Sequence, residues 1–260
     1  MTVLVLRLAG PLQSWGSSAR FARRTTEGAP TKSGVIGMLA AALGRDRGAD
    51  LSDLAELAFA VRTDQPGTRL RDFQTAHHAD TDKAMPVSER FYLADAVFLA
   101  AVAGDDELIR ALAAAVRAPV YLPYLGRRSC PPQGPLDLGI RNGDDPAETL
   151  RHEPWQAAPW HQQRHRRQAS VPLRIHADAT PADTGRAIGD ALRDQPLSFD
   201  PAHRRYALRT VVSTTVEVPN PAFRPDTRPK SAQGSRVPAP RHDPAALLTP
   251  LPTQPPLDGP

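Results

Sequence analysis

The chain has 260 residues, of which 28 are proline, 17 glycine and one cysteine. A composition of 40% apolar and 23% charged residues places it among globular chains that can bury a core. The lone cysteine excludes an internal disulfide, a four-thiolate zinc site and a CxxC redox pair.

The formal net charge is +4, but residues 1–48 hold seven Arg/Lys against Glu27 and Asp46, and residues 50–116 hold twelve acids against six bases. Residues 151–176 then carry five arginines and four histidines against Glu153 alone. Such segregated charge suits a polyanion, whose counterions are released on binding, or is simply a solvated face. The excess of arginine over Lys32, Lys83 and Lys230 fits bidentate phosphate recognition or genomic base composition equally.

The opening MTVLVLRLAGPLQSWG has no basic region ahead of its apolar run and no cleavage site in a secretory arrangement. No apolar run approaches the roughly 20 residues that span a bilayer. The expectation is a soluble, unexported, cytoplasmic protein with no membrane partner.

Residues 2–8, TVLVLRL, read as a central strand covered on both faces. A loop GPLQSWGSS and a basic stretch to Pro30 follow. In TKSGVIGMLAAALG, Val35, Leu39 and Leu43 fall at helical spacing and Gly44 supplies the stop, which predicts a helix over 32–43. LSDLAELA fits a second helix, and Phe59 to Arg62 a short strand. A polar stretch from about Ala76 to Arg90 reads as an excursion from the domain body. FYLADAVFLAAVA (91–103) is predicted as one long strand. Asp105 then caps a helix with Leu108, Leu112 and Val116 in a row, and VYLPYLG reads as a further strand. The resulting order, strand, helix, strand, strand, helix, strand, is the ferredoxin-like order.

Residues 130–165 show little periodicity, VPLRIHA (171–177) reads as an edge strand, and Tyr206 to Val218 as a half-buried strand with its even positions inward. From Pro219 to Pro260 there are twelve prolines, so a largely disordered tail is expected.

Several stretches could carry chemistry. Trp15, flanked by Gly10 and Gly16 on a loop, can stack an unpaired base or fold onto the core, and burial is the commoner fate of tryptophan. Pro30-Thr31-Lys32-Ser33-Gly34 opens a helix, where amides, a hydroxyl and a lysine make a phosphate cradle or an ordinary cap. It lacks the GxxxxGK[ST] spacing of a triphosphate loop. Arg127 and Arg128 on a turn after Gly126 suit a kinked phosphate backbone, or pair with the acidic middle segment. Cys130 beside them reads as structural. His77 and His78, adjacent in sequence, are poorly placed to share one metal. Arg164-His165-Arg166-Arg167 is a solvated basic loop or a backbone contact to nucleic acid.

Four ordered blocks, LRLAGPLQSWG (6–16), PTKSGVIGMLAAALG (30–44), LRDFQTAHH (70–78) and YLPYLGRRSCP (121–131), resemble the CRISPR-associated CasD family of type I-E systems. The resemblance implies an α+β, modified ferredoxin-like domain over residues 1–130 with a protruding hairpin, the thumb, near 76–90. A small antiparallel β region over 131–218 and the tail over 219–260 would complete the chain. It further implies a non-catalytic subunit of the Cascade complex of antiviral defence, which grips the 5′ handle of CRISPR RNA and caps the backbone filament. Its partners would be the CRISPR RNA, the backbone subunit, the large subunit and, through the complex, target DNA; no cofactor or metal is implied. Candidate handle contacts are Gln13, Trp15, Gly16, Thr31, Lys32, Ser33, Arg71, His77, Arg127, Arg128 and Ser129. Gln74 stands where the family often shows histidine, which leaves that side chain's role open. The alternative is a metal-independent endoribonuclease that processes repeat RNA.

Overall fold

The computed structural model describes residues 1–17, 23–180 and 189–225. Its elements begin with β1 (Thr2–Ala9), β2 (Leu12–Gln13), β3 (Arg23–Arg24), α1 (Lys32–Ala42), α2 (Ser52–Ala55), β4 (Ala58–Gln65) and β5 (Thr68–Gln74). They continue with β6 (Ser88–Ala94), β7 (Val97–Gly104), α3 (Asp106–Arg117), β8 (Asp137–Asn142), α4 (Pro146–His152) and α5 (Pro159–Arg164). Three strands close the series: β9 (Ser170–Asp178), β10 (Asp190–Ser198) and β11 (Arg205–Pro219). The architecture is mixed α+β with mostly antiparallel sheets.

β1 is apolar on both faces because both faces are covered. Leu4, Leu6 and Leu8 pack with Ile36 and Leu39 of α1 and Ile109 and Leu112 of α3, while Val3 and Val5 pack with Leu150 of α4. Seven strands in the order β10-β11-β9-β4-β7-β1-β8 form one antiparallel sheet. Residues 1–225 form one compact unit, so the strands after residue 131 extend the sheet begun before it. A second, smaller sheet sets β6 between β2 and β3 and also pairs it with β5. No helix of the described residues is long and apolar enough to cross a membrane.

Four local expectations are corrected. The segment 91–103 is two strands, because Asp95 takes a left-handed φ of 55° and turns β6 into β7. VYLPYLG is irregular: the amides of Val120 and Tyr121 donate to the carbonyls of Ala42 and Ala41, which caps the C-terminal end of α1. The strand expected there is supplied by β8, an edge strand whose residues are all partly or fully exposed and which shows no clean alternation. β9 is an interior strand, paired with β11 along its length and with β4 from Arg174 to Ala177. Pro172 is tolerated because it lies beyond the reach of β4. Finally, the inward set of β11 changes at Val211 and Val212, both buried, so the predicted inward Leu208 is 59% exposed.

The start of the proline-rich segment is held rather than loose. Asn220 is buried and donates through Nδ2 to the carbonyls of Gln162 and His165. Residues 226–260, where the rest of the expected disorder falls, lie outside the described residues.

Candidate nucleic-acid interface

Two loops meet at the end of β1. The Ser14 amide donates to the Leu125 carbonyl at 3.0 Å, and Gly126 sits at φ 86° with so little room that a Cβ would lie 1.7 Å from the Ser14 oxygen. Only glycine fits there. The turn then closes on itself, with the Leu125 amide on Cys130 O and the Cys130 amide on Arg127 O. This clasp presents Arg127 and Arg128 beside Gly16. Burial pushes the Cys130 thiol up, which makes it a packed, inert group.

The clasp forms one wall of an open groove of about 1040 Å³. Six arginines line it, Arg24, Arg45, Arg47, Arg127, Arg128 and Arg204, with Asp46 as the one carboxylate among the lining residues. Tyr121, Tyr124, Phe199 and Tyr206 supply rings, and Ser33, Gly34, Gly37, Ala40 and Ala41 keep the α1 wall low. At the rim Leu122 is 83% exposed. Arg127 lies 4.8 Å over the Tyr92 ring and donates Nη2 to the Arg24 carbonyl at 2.8 Å. Its Nη1 is buried with no hydrogen-bond partner among the described residues. Arg45 is tied to Asp53, whose carboxyl is held below the usual range by that hydrogen bond.

Of the eleven candidate residues, Gly16, Thr31, Ser33, Arg127 and Arg128 are gathered around this groove. Ser129 is exposed on the same turn, with its hydroxyl 3.9 Å from Cys130 Sγ. Thr31 works chiefly as the α1 cap, its Oγ1 accepting the Gly34 amide. Trp15 borders the groove, but its side chain is fully buried. The indole rests against Gly34, where a Cβ would come within 2.8 Å of the ring, and its Nε1 donates to Gln13 Oε1 at 3.1 Å. Gln13 Nε2 donates in turn to the carbonyls of Leu8 and Ala96. Both side chains are core parts that hold the loop, so a stacking role for Trp15 is corrected to a packing one.

Lys32 is also corrected. It is buried with Nζ 3.0 Å from Asp178 Oδ2, and its amide donates to Asp194 Oδ2 at 2.7 Å. Arg209 completes the network, with Nε 2.6 Å from Asp194 and Nη1 2.8 Å from Asp178. The anion expected at the α1 N-terminus is therefore an internal carboxylate, which takes the first amide and complements the helix dipole.

Arg71 and His77 lie elsewhere, on the hairpin of β5 and β6. Arg71 pairs with Glu89 at 2.6 Å and lies over Phe73, while His77 Nδ1 is 3.1 Å from Asp82 Oδ1. Every residue of β5 is exposed. This projecting hairpin extends the polar excursion predicted near 76–90 back to residue 68. The groove residues missed from sequence are Arg24, Arg45, Arg47 and Arg204, with the four rings. Arg24, Arg45 and Arg47 all belong to the basic first 48 residues, so composition signalled them without giving them a place.

Comparison with known proteins places the chain in a family. Residues 3–212 match the family model described as CRISPR-associated protein (Cas_Cas5). The chain is 41% identical over 172 residues to the CRISPR system Cascade subunit CasD of Escherichia coli (strain K12), covering 58% of this chain and 77% of that protein. Among solved structures, a chain of a CRISPR RNA-guided surveillance complex superposes with a TM-score of 0.68 at 36% identity, over 86% of this chain and 95% of that one. A crystal structure of a Cas protein gives 0.62 at 34% identity, over 87% and 100%. The matched span 3–212 takes in the clasp, the groove and most of the central sheet, and the chain belongs to the CRISPR-associated Cas5 family.

Proposed function

We propose that this protein is a Cascade subunit that grips the 5′ handle of CRISPR RNA in the arginine groove and caps the backbone filament, without cutting RNA. The observation that carries the reading is the groove itself, lined by six guanidinium groups and the rings of Tyr121, Tyr124, Phe199 and Tyr206, with Asp46 as the one carboxylate in the lining. Guanidinium groups stay charged at any physiological pH and fork onto phosphate oxygens, and rings stack unpaired bases. What such a lining offers is charge and stacking rather than proton transfer. The relatedness to the E. coli Cascade subunit supports the assembly role.

The strand order β4-β7-β1-β8, with α1 between β1 and β4 and α3 between β7 and β8, supports the ferredoxin-like description. The hairpin of β5 and β6 takes the part of the thumb. In this reading the backbone subunit and the large subunit are protein partners in the cytoplasm, target DNA is met through the complex, and the role is antiviral defence.

The test is incubation of the purified chain with labelled repeat RNA in chelator, followed for cleavage and for retention of the handle. Retention without cleavage is expected. Replacing Arg127 and Arg128 by alanine should weaken retention and lower the slope of log K against log salt by about 1.4, the share of two phosphate contacts on a single strand. A discrete handle-containing product would overturn the reading in favour of a processing endoribonuclease.

A further inference from the structure

Several surface arginines of this protein have a carboxylate beside them: Arg45 has Asp53, Arg71 has Glu89, Arg117 has Asp137, Arg141 has Glu153 and Arg151 has Glu148. The loop after α5 instead clusters three arginines within four residues. Arg164, Arg166 and Arg167 are exposed within a surface depression lined only by residues 163–168, none of them acidic, and none of the three arginines pairs with a carboxylate among the described residues. The loop shares no lining residue with the arginine groove.

The loop is also built to keep its shape. Asn220 Nδ2 donates to the carbonyls of Gln162 and His165, the Arg224 amide donates to Arg166 O at 2.8 Å, and the Gln168 amide donates to His165 O at 2.8 Å. These bonds neutralise the carbonyl end of α5 that would otherwise attract the guanidinium groups inward. Positive charge is thus fixed outward on a rigid turn, which lowers the ordering cost of binding.

Rings accompany the charge. Trp160 is 54% exposed, with its ring 5.4 Å from that of His161. His161 and His165, whose rings are 5.0 Å apart, face Trp155. Behind them opens a cleft of about 950 Å³, which shares His165 and Gln168 with the loop and is otherwise walled by groups such as Trp155, Val171 and Leu173. Its charged lining is mixed, with Glu27, Asp64 and Asp190 against Arg174 and Arg209, and Asp64 is already paired with Arg62. Its apolar wall of Trp155, Val171 and Leu173 suits an uncharged base, with the phosphates left outside on the arginines.

We propose that the loop after α5, with Trp160 and the adjoining cleft, is a second binding site for single-stranded nucleic acid, separate from the groove and indifferent to the handle sequence. Arg164, Arg166 and Arg167 hold the backbone, and Trp160 and the cleft receive unstacked bases. The site does not depend on the groove reading.

The test uses the full chain and two labelled probes, an oligo(U) RNA and a duplex DNA of unrelated sequence, each titrated by fluorescence anisotropy through a salt series. The wild-type chain should prefer oligo(U). Replacing all three arginines by alanine should weaken that binding at least tenfold and lower the salt slope by about 2. Lysine at the same three positions should restore the slope. Trp160→Ala should weaken oligo(U) binding between about 5-fold and 100-fold, the range of one lost stacked base. A triple alanine variant with wild-type affinity and slope would overturn the proposal, as would a wild-type chain that binds neither probe. Duplex bound as tightly as oligo(U), with Trp160→Ala without effect, would overturn its single-strand commitment. Retention of repeat RNA is scored in parallel, so that failure of the groove reading is told apart from failure of this one.

Discussion

Lys32 decides whether the start of α1 serves the ligand or the fold. Its ammonium is buried 3.0 Å from Asp178, which also accepts the Phe59 amide and a guanidinium bond from Arg209. Removing one partner of a buried pair costs about 3–5 kcal/mol when the other is left uncompensated. Asp178 keeps two partners after Lys32→Met, so the loss should fall below that range, near 2 kcal/mol. Asp194→Ala removes more: Arg209 loses both arms of a bidentate bond and the first amide of α1 loses its acceptor. That variant should lose about 3–5 kcal/mol. Urea unfolding of the full chain measures both, and the midpoint should fall in the order wild type, Lys32→Met, Asp194→Ala. The salt slope for repeat RNA should stay at the wild-type value in Lys32→Met. If that variant keeps its stability and loses about 0.7 of slope, one phosphate contact's share, then Lys32 faces RNA and the assignment to the fold is wrong.

Three other changes follow from the same geometry. Trp15→Ala opens a core cavity beside Gly34 and should cost about 3–5 kcal/mol of stability by urea unfolding, instead of a selective loss of RNA affinity in a chain that still folds fully. Gly126→Ala drives a Cβ into the Ser14 carbonyl at a left-handed φ and should both destabilise the chain and weaken repeat-RNA retention, because the turn carrying Arg127 and Arg128 must shift. Burial holds the His161 and His176 imidazoles below their ordinary value, so the unfolded chain takes up those protons first. Stability should therefore be unaffected by these groups above about pH 6.5 and fall as pH drops from there through their lowered values, and glutamine at both positions should flatten that dependence in urea melts.

What the sequence disclosed follows from where each signal is stored. β1, α1 and α3 were legible because a run such as TVLVLRL or the capping Asp105 states its environment locally. α4 had a readable start too, with Asp145 as cap, Pro146 in the first turn and Glu148 behind it, but its seven residues lay in a stretch without periodicity. β8 and β10 were not legible. An edge strand such as DLGIRN has no buried face to repeat, and DALRDQPLS carries Pro196 where the pairing with β11 shifts register. The turn at Asp95 was hidden for the opposite reason, since the residues on both sides of it are apolar. For the site, residue type singled out the arginine turn and the α1 opening, and the structure gathers Arg127, Arg128, Thr31 and Ser33 from them around one groove. Residue type could not show that Asp194, 162 residues away, would occupy the anion position at Lys32.

The same contrast explains how one chain uses arginine for two purposes. Arg62 is fully buried and forks onto Asp64 while donating to the carbonyls of Leu150, Glu153 and Pro154, so every direction of its guanidinium is answered from within. Burial pushes the Asp64 carboxyl up even against that pairing, a sign of how much desolvation the pair bears. Arg209 is answered in the same way by Asp178 and Asp194. Arg127 is answered only in part among the described residues, with two carbonyls on Nη2 and no partner on the buried Nη1. A buried guanidinium nitrogen without a partner is costly unless something else supplies an acceptor. Because Nη1 is closed off from solvent, Arg127 serves first to tie the turn to the Arg24 segment, and Arg128, exposed on the same turn, is the guanidinium free to meet a ligand in the groove.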